Sequence, residues 1–270
     1  MKKEETTRRM LLAATGTTLA TSVSGCISSD TNQESSDTAN IDIAKPVVQS
    51  DVLDGWKETE TREMKLDSQL GTTPYVSLRM FKNSEFSNRV KNLTLGEFDN
   101  PLAKFFAAHI DLRGFTAIGA TPERLISPAA DRLKTNMKQS GIQDIREVEV
   151  GRNVPENAKQ TREYEGEYHY DGFSATMEDE KAGKITLRVE SGSLSVRGLV
   201  SAWKEESDTG FTAGGAYPAE PFQQSTTTSI TGEQGVGLDL TLSANLDFDP
   251  SARRAEIITL SDSVTVEPET

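Results

Sequence analysis

From Leu238 to Phe248 apolar and polar residues alternate through eleven positions without a break. A period of two puts successive side chains on opposite faces of an extended chain, so this segment predicts a half-buried strand. The same period returns elsewhere. Val76, Leu78 and Met80 alternate with Ser77 and Arg79. Residues 102–112 allow two readings: Asn100-Pro101 could cap a helix, but Phe106, Ala108, Ile110 and Leu112 alternate with Ala107, His109 and Asp111, which favours a strand. In Glu163–Asp171 one face carries Glu163, Glu165, Glu167, His169 and Asp171, and the other Tyr164, Tyr168 and Tyr170. Ile185, Leu187 and Val189 share a face of the next segment, and Ser191-Gly192-Ser193 reads as a turn to Leu194–Trp203 as its partner strand. Phe211–Tyr217 adds a further short strand before Pro218. A chain that repeats this period so often is committed to a sheet.

One helix stands out. Ser127 suits an N-cap and Pro128 the first turn, so the helix is expected over 128–140. Leu133 and Met137 lie four apart and extend a stripe begun by Ala129 and Ala130, and Gly141 ends it. Ile142, Ile145, Val148 and Val150 then lead into extended chain. The expected fold is therefore α+β: a mostly antiparallel sheet packed on one main helix over residues 45–221, with a β-rich C-terminal extension over 222–270. In that extension Ala255–Leu260 and Val264–Val266 are candidate partners for the 238–248 strand. This strand either extends the main sheet or forms a separate hairpin.

The first 25 residues read as an address. Arg8-Arg9 directly precedes an uncharged stretch from Met10 to Val23, which is too short to span a bilayer at roughly 20 residues. A charged start, a short apolar middle and small residues at the end make a signal peptide, and the arginine pair gives it a twin-arginine character. The stretch closes on Val23-Ser24-Gly25-Cys26. Its small neighbours and thiol resemble a lipobox, whose cysteine is acylated and becomes the new first residue. Cys26 is the single cysteine of the 270 residues, so no intramolecular disulfide competes for it. A polar run from Ile27 to about Asn40 then serves as a tether. At 5–6 Å × √n, about 18 flexible residues up to position 44 reach roughly 23 Å, enough to hold a domain clear of lipid headgroups.

The charge balance restricts partners. The whole chain carries 42 acidic against 29 basic residues, and removal of the leader takes the net charge from −13 to −15. Such a surface repels nucleic acid and suits a salty exterior. Expected partners are membrane lipid through the anchor, and an envelope protein or small-molecule ligand.

Chemistry is thinly marked. The acidic face of Glu163–Asp171 could hold a hard cation, or zinc through His169. Same-face neighbours on a strand lie roughly 6.6 Å apart, so a flat strand chelates poorly. Cross-strand ion pairs with Lys184, Arg188 and Arg197 account for the same carboxylates without a metal. His109 and Asp111 fall on one face and read as a surface pair. Trp56 reads as a core or lid residue. Asn92-Leu93-Thr94 is a glycosylation sequon. The chain has no phosphate-binding glycine loop, no Gly-x-Ser-x-Gly, no His-Glu-x-x-His and no Cys-x-x-Cys. No catalytic residue, cofactor or metal ligand is assigned. The expected function is that of a non-enzymatic binding or envelope-associated module, with a carboxylate-based extracellular hydrolase as the alternative.

The Thr7-Arg8-Arg9-Met10-Leu11-Leu12 start, the Gly25-Cys26 end and the acidic balance resemble a haloarchaeal lipoprotein. The stretch from Asp54-Gly55-Trp56 to Tyr217-Pro218, with its helix, the Gly141-Ile142 exit and paired strands, is similar to a family of such lipoproteins without known function. That resemblance implies an anchored surface domain and lends no catalytic residues.

Overall fold

A computed structural model describes residues 43–65, 74–96, 102–112, 121–179, 183–205, 208–231 and 237–266. Its frame is a seven-stranded antiparallel sheet. The strands are β2 (Trp56–Lys65), β3 (Tyr75–Asn83), β4 (Lys104–Asp111), β5 (Ile142–Val148), β6 (Gln160–Tyr170), β9 (Gly192–Lys204) and β10 (Thr209–Pro218). They lie in the order β2-β3-β4-β10-β9-β6-β5. Three two-stranded pairs complete the β structure: β7 (Phe173–Asp179) with β8 (Gly183–Val189), β11 (Phe222–Thr231) with β12 (Gly237–Leu246), and β1 (Pro46–Val48) with β13 (Val264–Val266). The described helices are α1 (Ser84–Leu93), α2 (Pro122–Gln139) and α3 (Pro250–Asp262). The expected class, α+β with a mostly antiparallel sheet, is what the chain forms.

The central strand explains how the layers stack. β10 reads Thr-Gly-Phe-Thr-Ala-Gly-Gly-Ala-Tyr-Pro, uncharged and mostly small. A Cβ added to Gly210 would stand 2.9 Å from Leu125 of α2, and one added to Gly215 would stand 2.8 Å from Ile257 of α3. The two glycines are of opposite parity, so α2 and α3 approach the strand from opposite faces. Each face buries its own apolar cluster. Ile126, Ala130, Leu133 and Met137 of α2 pack on Val76, Leu78, Val196 and Val200. Ile257 and Leu260 of α3 join Phe81, Phe105, Leu199, Trp203, Phe211 and Tyr217. The sheet thus carries helical cover on both sides, with α2 the longest of the described helices.

Several expectations shift. Helix α2 begins at Pro122 after Thr121, six residues ahead of the anticipated start, and Pro128 lies inside it. Proline fits a first turn, and this helix already has one there in Pro122. Its end is as anticipated: Gly141 follows with φ +82°, a left-handed angle that glycine takes without penalty. Leu194–Trp203 does not return as the partner of Lys184–Glu190. β8 pairs with β7, whereas β9 sits between β6 and β10. The reason lies in the faces. β8 is apolar on one face only, matched by Phe173 and Ala175. β9 has buried residues on both faces and so belongs inside the large sheet.

The 238–248 strand forms a separate hairpin. Its neighbour is the Ser/Thr-rich stretch before it, with Phe222 opposite Leu246 and Thr226 opposite Leu242. Ala255–Leu260, anticipated as a strand, lies in α3. Asp249 caps that helix by accepting from Ser251 N–H at 2.8 Å, and Pro250 fills its first position. Such capping overrides the weak β preference of Ile-Ile-Thr. Val264–Val266 pairs with Pro46–Val48, so the two ends of the described chain lie side by side.

Candidate functional site

The most concentrated polar chemistry among the described residues gathers around Glu163 on β6. Its side chain is fully buried, at 0% exposure, in a position where an unpaired carboxylate would be prohibitively costly. Both oxygens are engaged. Arg254 Nη2 of α3 donates to Oε2 at 3.2 Å and its Nε to Oε1 at 3.3 Å, a two-pronged guanidinium–carboxylate pair. The N–H of Gly151 donates to Oε2 at 3.1 Å, and the Tyr217 hydroxyl of β10 donates to Oε1 at 3.2 Å. Arg197 of β9 closes the ring with Nη1 at 3.6 Å from Oε1.

The electrostatics follow from this ring. Burial pushes the Glu163 carboxyl upward. Arg254, the Gly151 N–H and Arg197 outweigh it and hold the group below its ordinary value. Tyr217 is pushed well above the usual phenol value by burial and by the charge of Glu163 beside it. The cluster therefore keeps an ionised carboxylate and a neutral phenol across the physiological range.

α3 does a second task from the same face. Arg254 Nη1 donates to the carbonyl of Asn153 at 2.6 Å. Two turns on, Asp262 accepts from the N–H of Glu156 at 2.6 Å and of Asn157 at 3.5 Å. The connection between β5 and β6 is thus strapped along the helix at 151–157. Burial, with the nearby charge of Glu156, pushes the Asp262 carboxyl above its ordinary value despite those two donors.

The anticipated acidic face resolves into ion pairs. Arg197 lies opposite Glu165 in the sheet register, with Nη2 at 3.7 Å from Oε2. Arg146 of β5 approaches the same oxygen from the other side at 3.7 Å. Of the three cations named from sequence only Arg197 takes part. Lys184 and Arg188 stand on β8, opposite Glu178 and Ser174. Glu167, His169 and Asp171 are exposed. Among the described residues, no three His, Cys, Asp or Glu side chains form a group able to hold a metal ion.

His109 and Asp111 do lie on a strand, β4, but both are buried at 7% exposure and are not a surface pair. The same face of β4 carries Phe105 and Ala107, which are buried in the cluster on the α3 side, so that face is covered too. His109 Nδ1 lies 2.7 Å from the carbonyl of Ala44, and its ring sits 5.5 Å from that of Phe211. Trp56 is a core residue whose indole N–H donates to Glu256. Asn92 is exposed in the last turn of α1, and the Thr94 hydroxyl is buried, donating to the Val90 carbonyl at 2.9 Å. Arg8, Arg9 and Cys26 lie outside the described residues.

A small apolar cavity of about 10 Å³ lies between α1, β9 and the β11–β12 hairpin, lined by Val90, Leu93, Leu102, Leu194, Phe222 and Leu246. It is about the size of one water and far below the several hundred Å³ that a small-molecule site occupies.

Sequence reasoning missed Arg254, Tyr217 and Asp262. Arg254 lies 91 residues from Glu163 in the chain and Tyr217 lies 54. Arg254 shows in the sequence as half of a basic pair, Arg253-Arg254, in an acidic tail, and Tyr217 as the end of a short strand.

Among the described residues, no helix is long and apolar enough to cross a membrane. No curated protein and no solved structure matches the chain. A family model does match over residues 45–265, most of the chain. The chain belongs to that family, described as a domain of unknown function, DUF6517.

Proposed function

We propose that this protein is a non-enzymatic module of the outer cell surface in a halophilic archaeon, exported through its Arg8-Arg9 signal and held to the membrane by a lipid on Cys26. The observation that carries the non-enzymatic reading is the state of Glu163. A carboxylate hydrolase works with two acids across an open cleft, one of them raised in pKa so that it can give up a proton. Glu163 is instead one buried acid with both oxygens engaged, and Arg254 and Arg197 keep it ionised. Asp262, whose carboxyl is raised, spends its Oδ1 on the 156–157 backbone. The small apolar cavity suits packing, not a ligand. The module then acts through its surface, on an envelope protein, at the end of a polar tether.

Detergent phase separation of cells expressing the wild type and Cys26→Ala tests the anchor. The wild type should enter the detergent phase and the variant the aqueous phase; a variant that stays with the lipids removes the anchor from the proposal. Arg8→Lys with Arg9→Lys should leave precursor inside the cell.

A further inference from the structure

Every sheet has edges, and an edge strand offers a row of free N–H and C=O groups to any strand that meets it. Proteins blunt such edges with charge, proline or bulges. This chain does so almost everywhere. β2, at one end of the main sheet, carries Lys57, Glu58, Glu60, Arg62, Glu63 and Lys65. β5, at the other end, carries Arg146 and Glu147 and breaks register between Gln143 and Arg146, where Asp144 takes a φ of +50°. β7 and β8 carry Glu178, Lys184 and Arg188, and β1 begins with Pro46.

β11 has none of these devices. Its ten residues, Phe-Gln-Gln-Ser-Thr-Thr-Thr-Ser-Ile-Thr, include no charge and no proline, and its pairing with β12 runs through all ten without a register shift. Among the described residues β12 is its single strand partner. Gln223, Ser225, Thr227 and Ser229 are exposed. β12 carries a charge in Asp239 and has α1 beside it, with Arg89 donating to the Asp247 carbonyl at 3.3 Å, while β8 lies against both strands of the hairpin.

We propose that β11 is a homotypic pairing edge: a second copy of this chain lays its own β11 antiparallel against it, joining two hairpins into a continuous four-stranded sheet. The electrostatics point to a second copy. Two chains of net charge −13 repel over most of their surfaces. They can meet along a strand only where neither brings a charge, and β11 is a long uncharged edge in both. The Ser and Thr side chains that then face each other are neutral, of matched size and suited to a β surface. Main-chain hydrogen bonds supply the attraction, as in other cases of strand addition.

Sedimentation equilibrium of the full chain tests this, with Cys26→Ala throughout so that no acyl group can bring copies together. The parent should show a concentration-dependent monomer–dimer equilibrium. Ser225→Lys/Thr227→Lys sets cations against cations, and Ser225→Glu/Thr227→Glu sets acids against acids. Each should weaken association by on the order of tenfold or more. An equimolar mixture of the two should dimerise again, which a merely misfolded variant would not do. Ser174→Lys/Thr176→Lys, on the outer face of β7, should leave the equilibrium unchanged. A parent that stays monomeric up to millimolar concentration, or Lys and Glu variants that dimerise like the parent, would overturn the proposal and leave the anchored-module reading standing.

Discussion

The indole N–H of Trp56 donates to the Glu256 carboxylate at 2.5 Å, joining the first strand of the large sheet to the last of the described helices across 200 residues. Asn83 donates to the same oxygen at 3.2 Å, and Arg253 holds the other at 2.7 Å. Trp56→Phe keeps much of the ring but removes this donor. It should cost about 2–3 kcal/mol of stability, in the range for a hydrogen bond to a charged group plus some lost packing. Glu256→Gln keeps an acceptor and should cost less. Urea unfolding of the two variants measures the difference, and a Trp56→Phe loss no larger than that of Glu256→Gln would show that the indole donor contributes little.

Arg254 is the partner that makes a buried Glu163 tolerable. Arg254→Met leaves that carboxylate without its two-pronged donor and should cost about 3–5 kcal/mol. Arg254→Met with Glu163→Leu removes the charge along with its partner and should recover a large part of the loss. A double-mutant cycle on chemical unfolding gives the coupling; a double variant as unstable as the sum of the singles would mean the two residues act independently.

The same cluster sets the response to pH. Glu163 is lowered in the folded state, so its contribution is present above the ordinary glutamate value of 4.5 and drains away as pH falls below it. Tyr217 is raised, so its contribution is present below the ordinary phenol value of 10.0 and is lost as pH climbs past it. Thermal melts from pH 7 down to 3 should fall less steeply for Glu163→Gln than for the wild type. Melts from pH 9 upward should fall less steeply for Tyr217→Phe. Parallel wild-type and variant curves would remove the cluster as the source.

The two helical layers depend on glycine where they cross the sheet. Gly215→Ala would bring a methyl within 2.8 Å of Ile257 and close to the neighbouring Lys104 backbone, which cannot step aside. A loss of about 1–3 kcal/mol is expected. Gly198→Ala meets the Met137 sulfur at 2.8 Å, the flexible part of an adaptable side chain, and should cost less. Calorimetric melts of the two variants decide the order.

The strap along α3 predicts a local effect. Asp262→Ala removes the acceptor for the 156–157 backbone while leaving the Arg254–Glu163 pair in place. Trypsin should then cut after Arg152 more readily, at nearly unchanged global stability. An unaltered cleavage rate would mean that Arg254 holds the loop alone.

Much of the sheet was legible because period two is a local property. β3, β4, β6, β8 and β12 follow from alternation read one segment at a time. Pairing was less legible, since adjacency in the chain suggested β8 with β9. β9 is buried on both faces, and only the large sheet could use that. α3 was misread because its Ile-Ile-Thr run resembles a strand, while the cap that starts it, Asp249-Pro250, lies outside that window. The candidate site was partly legible: Glu163, Glu165 and Arg197 could be named from strand faces. Arg254, Tyr217 and Asp262 could not, because nothing local in the sequence says which distant cation a buried acid will meet.

By itself the sequence determined the properties that depend on near neighbours: the alternation that commits the chain to strands, the stripe that makes α2 a helix, and the acidic balance. Only the tertiary structure decided that Glu163 is a locked charge and not a poised acid. A carboxylate's behaviour depends on what surrounds it within a few ångströms, and here most of those groups arrive from a helix and two strands farther along the chain.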